Sequence, residues 1–378
     1  MSKKSKDDLV KAIHPRYLQA NKQEKGRILD EFVAATGCHR KHAIRRLRQG
    51  IPECRRERRG RKRTYTGDVV GHLARIWKIC GHICGKRLQP FLPEMVAVLE
   101  RHDELVIDAE SKALLLQMSA ATIDRLLARF RQKKGRGLST TKPGTLLKDA
   151  IPVRTFADWD DAKPGFVEMD LVAHCGVSTH GQYLQTLTAT DITTGWTECL
   201  ALKHRSQRNV SAAIKLLRER LPFPLLGIDS DNDGVFINET LFRYCENERI
   251  TFTRCRPYKK NDQAHVEQKN WSVVRRTIGY KRYESETALT LMETIYTDLR
   301  LYVNYFQPVQ KLVSKQRNGS KVYKRYDLAR TPHQRVLASP DVTSKDKLRL
   351  QVDYLALNPV QLRDRIDANL ELLWRQLW

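Results

Sequence analysis

Apolar residues along the first fifty positions recur at helical intervals. Ile28, Leu29, Phe32 and Val33 line one face, Thr36-Gly37 breaks the pattern, and a short helix resumes over 40–47. A helix, a tight Gly-containing turn and a second, Arg-loaded helix make the helix-turn-helix pattern, whose second helix suits a major groove. An ordinary pair of antiparallel helices gives the same spacing. Two further stripes, Val69/Leu73/Ile76/Trp77 and Met95/Val96/Leu99, and a Ser-capped third helix over 119–131 predict a second helical module at 66–133. Beyond a Gly/Ser/Thr/Lys linker at 134–150 the period drops to two. Strands are predicted over 166–172, 183–190 and 196–202, the last two joined by a turn at 191–195. A helix at 210–220, a strand at 225–228, a helix at 241–248, a strand at 250–254 and a long helix over 262–277 follow. Hairpin-ordered strands leading into alternating helices and strands predict an α/β sheet of mixed strand direction over 151–298. A basic and helical region, 299–378, completes the chain.

Charge sharpens this outline. The 378 residues hold 68 Lys or Arg against 43 Asp or Glu, a formal charge of +25. A field of that sign draws polyanions, nucleic acid foremost. With 41% hydrophobic residues and 6 Trp, most of the chain can bury a core, which excludes general disorder. No run of 18 apolar residues exists, and the opening MSKKSKDDLV lacks the apolar stretch of a signal peptide, so no membrane role and a cytoplasmic location are expected. The 8 cysteines include no C-x-x-C pair, and Cys80, His82 and Cys84 do not match structural-zinc spacing, so reduced thiols are expected.

The cations are unevenly spread. From 40 to 63 stand 12 Lys or Arg against Glu53 and Glu57 only. Arg40, Lys41, Arg45 and Arg46 load the candidate recognition helix of the 1–50 domain. Arg55, Arg56, Arg58, Arg59, Arg61, Lys62 and Arg63 form a basic arm within 51–65, suited to phosphates or a minor groove. Arg125 and Arg129 mark a second recognition-helix candidate. Lys259, Lys260, Lys269, Arg275 and Arg276 gather around the long helix, where they would position phosphates rather than read bases. Interleaved Tyr and Lys between 301 and 326 also suit a nucleic-acid surface, although Tyr302, Tyr305 and Phe306 equally suit a core. The amphipathic tail over 360–378 suits packing on its own chain or on a second protomer.

Against this background three acids stand out. Asp170 lies within the first strand, Asp231 follows the strand at 225–228, and Glu267 lies on the long helix. On a helical wheel Glu267 shares the apolar stripe of Trp271, Val274 and Ile278, while His265, Lys269 and Arg276 face the other way. A carboxylate on a buried stripe needs a cation or a metal. Any one of these acids reads as a salt-bridged side chain; three together at strand ends and a helix start weigh against that reading. Glu168 and Asp229 share faces with Asp170 and Asp231 and read as sheet-edge groups or auxiliary ligands. Asp191 fits a turn, and Asp233 an outer position in the loop.

The order Asp170, Asp231, Glu267, with 35 residues between the last two, resembles the D,D(35)E spacing of DDE transposases and retroviral-type integrases. Ser230-Asp231-Asn232 resembles their S/T-D-N motif, and 261–271, NDQAHVEQKNW, their last-glutamate helix. EMDLVAHCG, TDITTGWTE and FTRCRPYKKNDQAHVEQKNW resemble a bacterial insertion-sequence transposase with an integrase core. One departure stands in the loop: where relatives read S-D-N-G-x-E-F, this chain reads Ser230-Asp231-Asn232-Asp233-Gly234-Val235-Phe236.

The resemblance implies a ribonuclease-H-like core, with a five-stranded mixed sheet and flanking helices, preceded by helix-turn-helix modules. It implies end cleavage and 3′-OH strand transfer on double-stranded DNA by a nucleoid-associated homo-oligomer. Asp170, Asp231 and Glu267 would be catalytic residues and ligands of two Mg²⁺ or Mn²⁺ ions, hard cations that select oxygen donors. Two other readings stay open: a non-catalytic DNA-binding regulator derived from such an enzyme, and a nuclease that cuts without joining.

Overall fold

Gly37, at φ +67°, ends one helix and turns the chain so that the next begins three residues later. In the computed structural model, which describes residues 1–51, 64–131, 163–255 and 263–376, the chain divides into two units, Met1–Thr64 and Tyr65–Trp378. Among the described residues the first unit has three helices: α1 (Lys3–Gln19), α2 (Lys22–Thr36) and α3 (Arg40–Gln49). A capping box starts α2, with Asn21 accepting from Glu24 N–H and Glu24 returning the bond to Asn21 N–H. Val10, Tyr17, Ile28, Leu29, Phe32, Ala43 and Leu47 form its core.

The second unit opens with four helices, α4 (Gly67–Ile79), α5 (Gly85–Arg101), α6 (Ala109–Leu116) and α7 (Ala120–Leu127). Its sheet is built from β1 (Phe166–Ala173), β2 (Gln185–Asp191), β3 (Thr197–Leu202), β4 (Gly227–Ser230) and β5 (Thr251–Arg254), in the spatial order β3-β2-β1-β4-β5. The β1–β2 and β2–β3 pairs are antiparallel; β1–β4 and β4–β5 are parallel. Between these strands and after them come α8 (Gln207–Arg220), α9 (Glu239–Asn247), α10 (Ala264–Lys269) and α11 (Glu286–Phe306). A two-stranded hairpin, β6 (Leu312–Asn318) and β7 (Lys321–Tyr326), precedes α12 (Pro332–Ala338), α13 (Ser344–Ala356) and α14 (Pro359–Arg375).

Among the described residues, the helices expected at 66–133 have their buried residues in a wider cluster: Leu73, Ile76, Phe91, Met95 and Leu99 belong with Val167, Leu187, Ile295 and Leu370. Polar ties run alongside. Tyr302 donates to Ile79 O at 2.5 Å, Gln307 to Cys80 O at 2.8 Å, and Asn358 to Glu104 at 2.8 Å. The apolar face of the tail is buried on its own chain through Leu362, Ile366, Leu370 and Leu373. Among the described residues no helix is long and apolar enough to cross a membrane.

Candidate functional site

The site begins with a register. Strands β1 and β4 run parallel and pair Glu168 with Asp229 and Met169 with Ser230. The next residue of each chain is Asp170 and Asp231, so the two acids stand side by side, one step beyond the last pair. Strand β4 extends to Ser230, further than the apolar run at 225–228 suggests, and so carries the chain up to Asp231.

Helix α10 lies against β1 and is fastened there by two carboxylates. Glu168 is buried and accepts the Val266 N–H at 2.7 Å, which ties the first turn of α10 to the strand. Asp170 accepts Leu171 N–H at 2.7 Å on one oxygen and the Asn270 side-chain amide at 2.6 Å on the other. The amide oxygen of Asn270 is buried without a hydrogen-bond partner. Burial first, then the like charge of Asp231, pushes the Asp170 carboxyl up to about 7. Burial likewise pushes Asp231 up to about 6, with the Arg205 charge acting against it. Glu168 rises to about 8, again through burial, with Asp229 as a like-charged neighbour. Asp229 accepts the Thr253 hydroxyl at 2.6 Å.

The loop after Asp231 explains how the unusual Asp233 is accommodated. Its N–H donates to Asp231 Oδ1 at 3.0 Å, and its buried carboxylate pairs with Arg205, the residue just before the cap of α8. Arg205 was not singled out in the sequence, because an arginine in a loop with no local partner carries no signal. Asn270 was likewise passed over; its position three residues after Glu267 could have drawn attention to it.

Glu267 departs from expectation. It is exposed, as is Trp271, while Val266 and Lys269 are buried. The cause is a π-helical stretch, Asn270–Arg275, directly after α10. Its wider turn breaks the 3.6-residue wheel on which Glu267 shared the stripe of Val274 and Ile278. Lys269, expected to position a phosphate, is buried. It lies inside the fold, held down to about 7 by burial and then by the Arg87 charge. Arg275 is half-buried and donates to Ala173 O at 2.9 Å; Arg276 is exposed, donates to Gly81 O at 2.9 Å and lies over Trp271.

Other expected contacts divide similarly. Arg40 pairs with Asp30 and Arg46 with Asp7, which ties α3 to α2 and α1, whereas Lys41 and Arg45 are exposed together with Arg48. Arg125 and Arg129 are exposed. Arg55, Arg56, Arg58, Arg59, Arg61, Lys62, Arg63, Lys259 and Lys260 lie outside the described residues. Among the described residues no three His, Cys, Asp or Glu side chains form a group that could hold a metal ion. The donor set still suits a hard cation in chemical type, since two adjacent carboxyls are raised above the ordinary carboxylate range, chiefly by burial, and a buried amide oxygen beside them lacks a donor.

Three likenesses to known proteins bear on the chain. The rve family model, described as Integrase core domain, matches residues 160–260. The uncharacterized protein y4rM of Sinorhizobium fredii (strain NBRC 101917 / NGR234) is 44% identical over 334 residues, covering 86% of this chain and 93% of that protein. The crystal structure of the catalytic core domain of BIV integrase aligns at 18% identity and a TM-score of 0.29, covering 45% of this chain and 91% of that one.

Proposed function

This chain carries the ribonuclease-H-like integrase core and belongs to the same family as the Sinorhizobium fredii protein y4rM, and from that premise we propose that it is a DDE transposase. It binds the ends of a mobile DNA element, cleaves there to free a 3′-OH, and joins that 3′-OH to target DNA. The observation that carries the reading is the β1–β4 register, which sets Asp170 beside Asp231 under a helix bearing Glu267. A carboxylate pair with raised pKa values is an unfavourable arrangement unless a cation or a shared proton relieves it.

Asp170, Asp231 and Glu267 would hold Mg²⁺ or Mn²⁺, and two such ions when bound activate the attacking oxygen and stabilise the leaving one. The chain's own residues do the rest. Asn270 orients Asp170, Glu168 fixes the start of α10, and the Arg205–Asp233 pair orders the loop behind Asp231. The exposed face of α3, with Lys41, Arg45 and Arg48, supports a DNA-reading role for the first unit. Exposed Arg125, Arg129 and Arg276 add phosphate contacts. The protein acts in the cytoplasm as a homo-oligomer on double-stranded DNA.

A strand-transfer assay with Mg²⁺ or Mn²⁺, on the DNA flanking the gene's own locus, tests this. Asp231→Asn and Glu267→Gln are expected to lose cleavage and joining while binding the DNA with wild-type affinity. Undiminished joining by either variant would overturn the assignment of the acids. Wild-type protein that binds yet never cuts would make the chain a DNA-binding regulator instead.

A further inference from the structure

We infer that the β6–β7 hairpin is a DNA-binding ribbon, a contact surface separate from the carboxylates and from α3; this rests on the reading of the chain as a DNA-joining enzyme. Every residue of β7 is exposed, and so are Val313, Arg317 and Asn318 of β6. The two strands pack mainly on each other. An isolated hairpin of this length is marginal in water, and exposed strand edges invite unwanted pairing. Val313, Val322 and Tyr323, at 61%, 42% and 56% exposure, add apolar surface that nothing described in the fold covers. Such an element suits a partner that lies on it.

Charge identifies the partner. Between 312 and 326 the chain holds Lys315, Arg317, Lys321, Lys324 and Arg325, and no Asp or Glu. A neutral peptide or a lipid tail gains nothing from that; a polyanion does. The ladder then sorts the side chains. Ser314 faces Arg325, Gln316 faces Tyr323 and Asn318 faces Lys321, so Arg325, Tyr323 and Lys321 share one side of the ribbon with Gln316 and Asn318, while Arg317 and Lys324 lie on the other and both sides carry cations. These are the side chains that hydrogen-bond base edges and phosphates, and a two-stranded ribbon has the width of a B-DNA major groove.

The root of the hairpin is held as firmly as its blade is free. Lys311 N–H donates to Asp327 at 2.6 Å, Asp327 N–H returns a bond to Lys311 O at 2.9 Å, and Arg335 pairs with Asp327 at 2.8 Å. The Lys311 ammonium donates to Ile192 O at 2.6 Å and also to Thr193 O, in the turn between β2 and β3. A register shift between Leu312 and Ser314 adds twist where the blade leaves the root. A fixed base under an uncovered cationic blade presents that blade to a duplex.

The test uses the full chain and duplex DNA, both random sequence and the element's own flanks, over 50 to 200 mM salt. A variant combining Arg317→Ala, Lys321→Ala, Lys324→Ala and Arg325→Ala is expected to show a log–log salt slope shallower by about 3–4. Its deficit against wild type then shrinks by about a hundredfold across that salt range. A wild-type thermal unfolding curve for the variant establishes that the loss is not misfolding. As a second measurement that keeps all four cations, a photo-crosslinking benzoylphenylalanine in place of Tyr323 is expected to label the duplex. Unchanged affinity and slope, or no crosslink, overturn the ribbon while leaving the transposase reading intact. Loss of RNA or protein binding with DNA binding unchanged overturns it in favour of that other partner. Wild-type protein that binds and joins no duplex at all sinks the underlying reading, and the ribbon with it.

Discussion

His174 lies near the end of the strand that carries Asp170, buried, with Nε2 at 2.7 Å from the Thr186 hydroxyl, which is itself 2.5 Å from the Tyr296 hydroxyl. Burial, and then the charge of Arg275, drives its pKa down to about 3. The folded state therefore keeps this ring neutral where an unfolded chain takes up a proton near the ordinary value of about 6.5. Stability from this group is fully present above about pH 6.5 and is lost as pH falls toward 3, by up to about 1.4 kcal/mol per pH unit. His265 and His333, each held down to about 4 mainly by burial, act in the same direction over a narrower window. His174→Gln is expected to remove about one proton from the acid limb. Urea titrations from pH 4 to 7 would read this as a shallower decline than wild type. An identical pH slope in both proteins would mean that His174 is protonated in the folded state as well.

Helix α10 shows what pattern can and cannot carry at the level of an element. The sequence made a helix over 262–277 legible, and its acidic residue with it. It did not make legible which way that acid points, because the wheel assumes a constant 100° per residue and the π stretch Asn270–Arg275 departs from it. Lys269, Glu267 and Trp271 were all misplaced by that single assumption. What fixes the helix is tertiary instead: a carboxylate from β1 reaching the Val266 N–H. Glu168→Gln retains an acceptor oxygen at that position, whereas Glu168→Ala leaves an amide in the first turn unsatisfied. The alanine variant should lose about 1–3 kcal/mol in denaturant unfolding and exchange its Val266 amide faster, with glutamine near wild type. Equal stability and equal exchange in the two variants would remove Glu168 as the fastening of α10.

At the scale of the whole molecule, period two after residue 165 made the mixed sheet readable, since alternation fixes strand faces locally. The helices of 65–131 were readable one by one, but not their partner. An apolar stripe such as Leu73/Ile76/Trp77 states that a face is buried and is silent about what covers it. That information resides in pairs far apart in sequence, Tyr302 with Ile79 and Tyr354 with Glu94 at 2.7 Å. The two units therefore differ in a measurable way. Residues 1–64 own a closed core around Leu29, Phe32 and Leu47, so this fragment should fold alone and melt cooperatively by circular dichroism. Residues 65–131 share their buried cluster with the sheet, α11 and α14, and as a fragment they should melt without cooperativity and bind a hydrophobic dye. A sharp, dye-free transition for 65–131 would show instead a self-sufficient module. A chain beginning at Tyr65 should keep the unfolding transition of the second unit, because no residue of the first unit's core is shared with it.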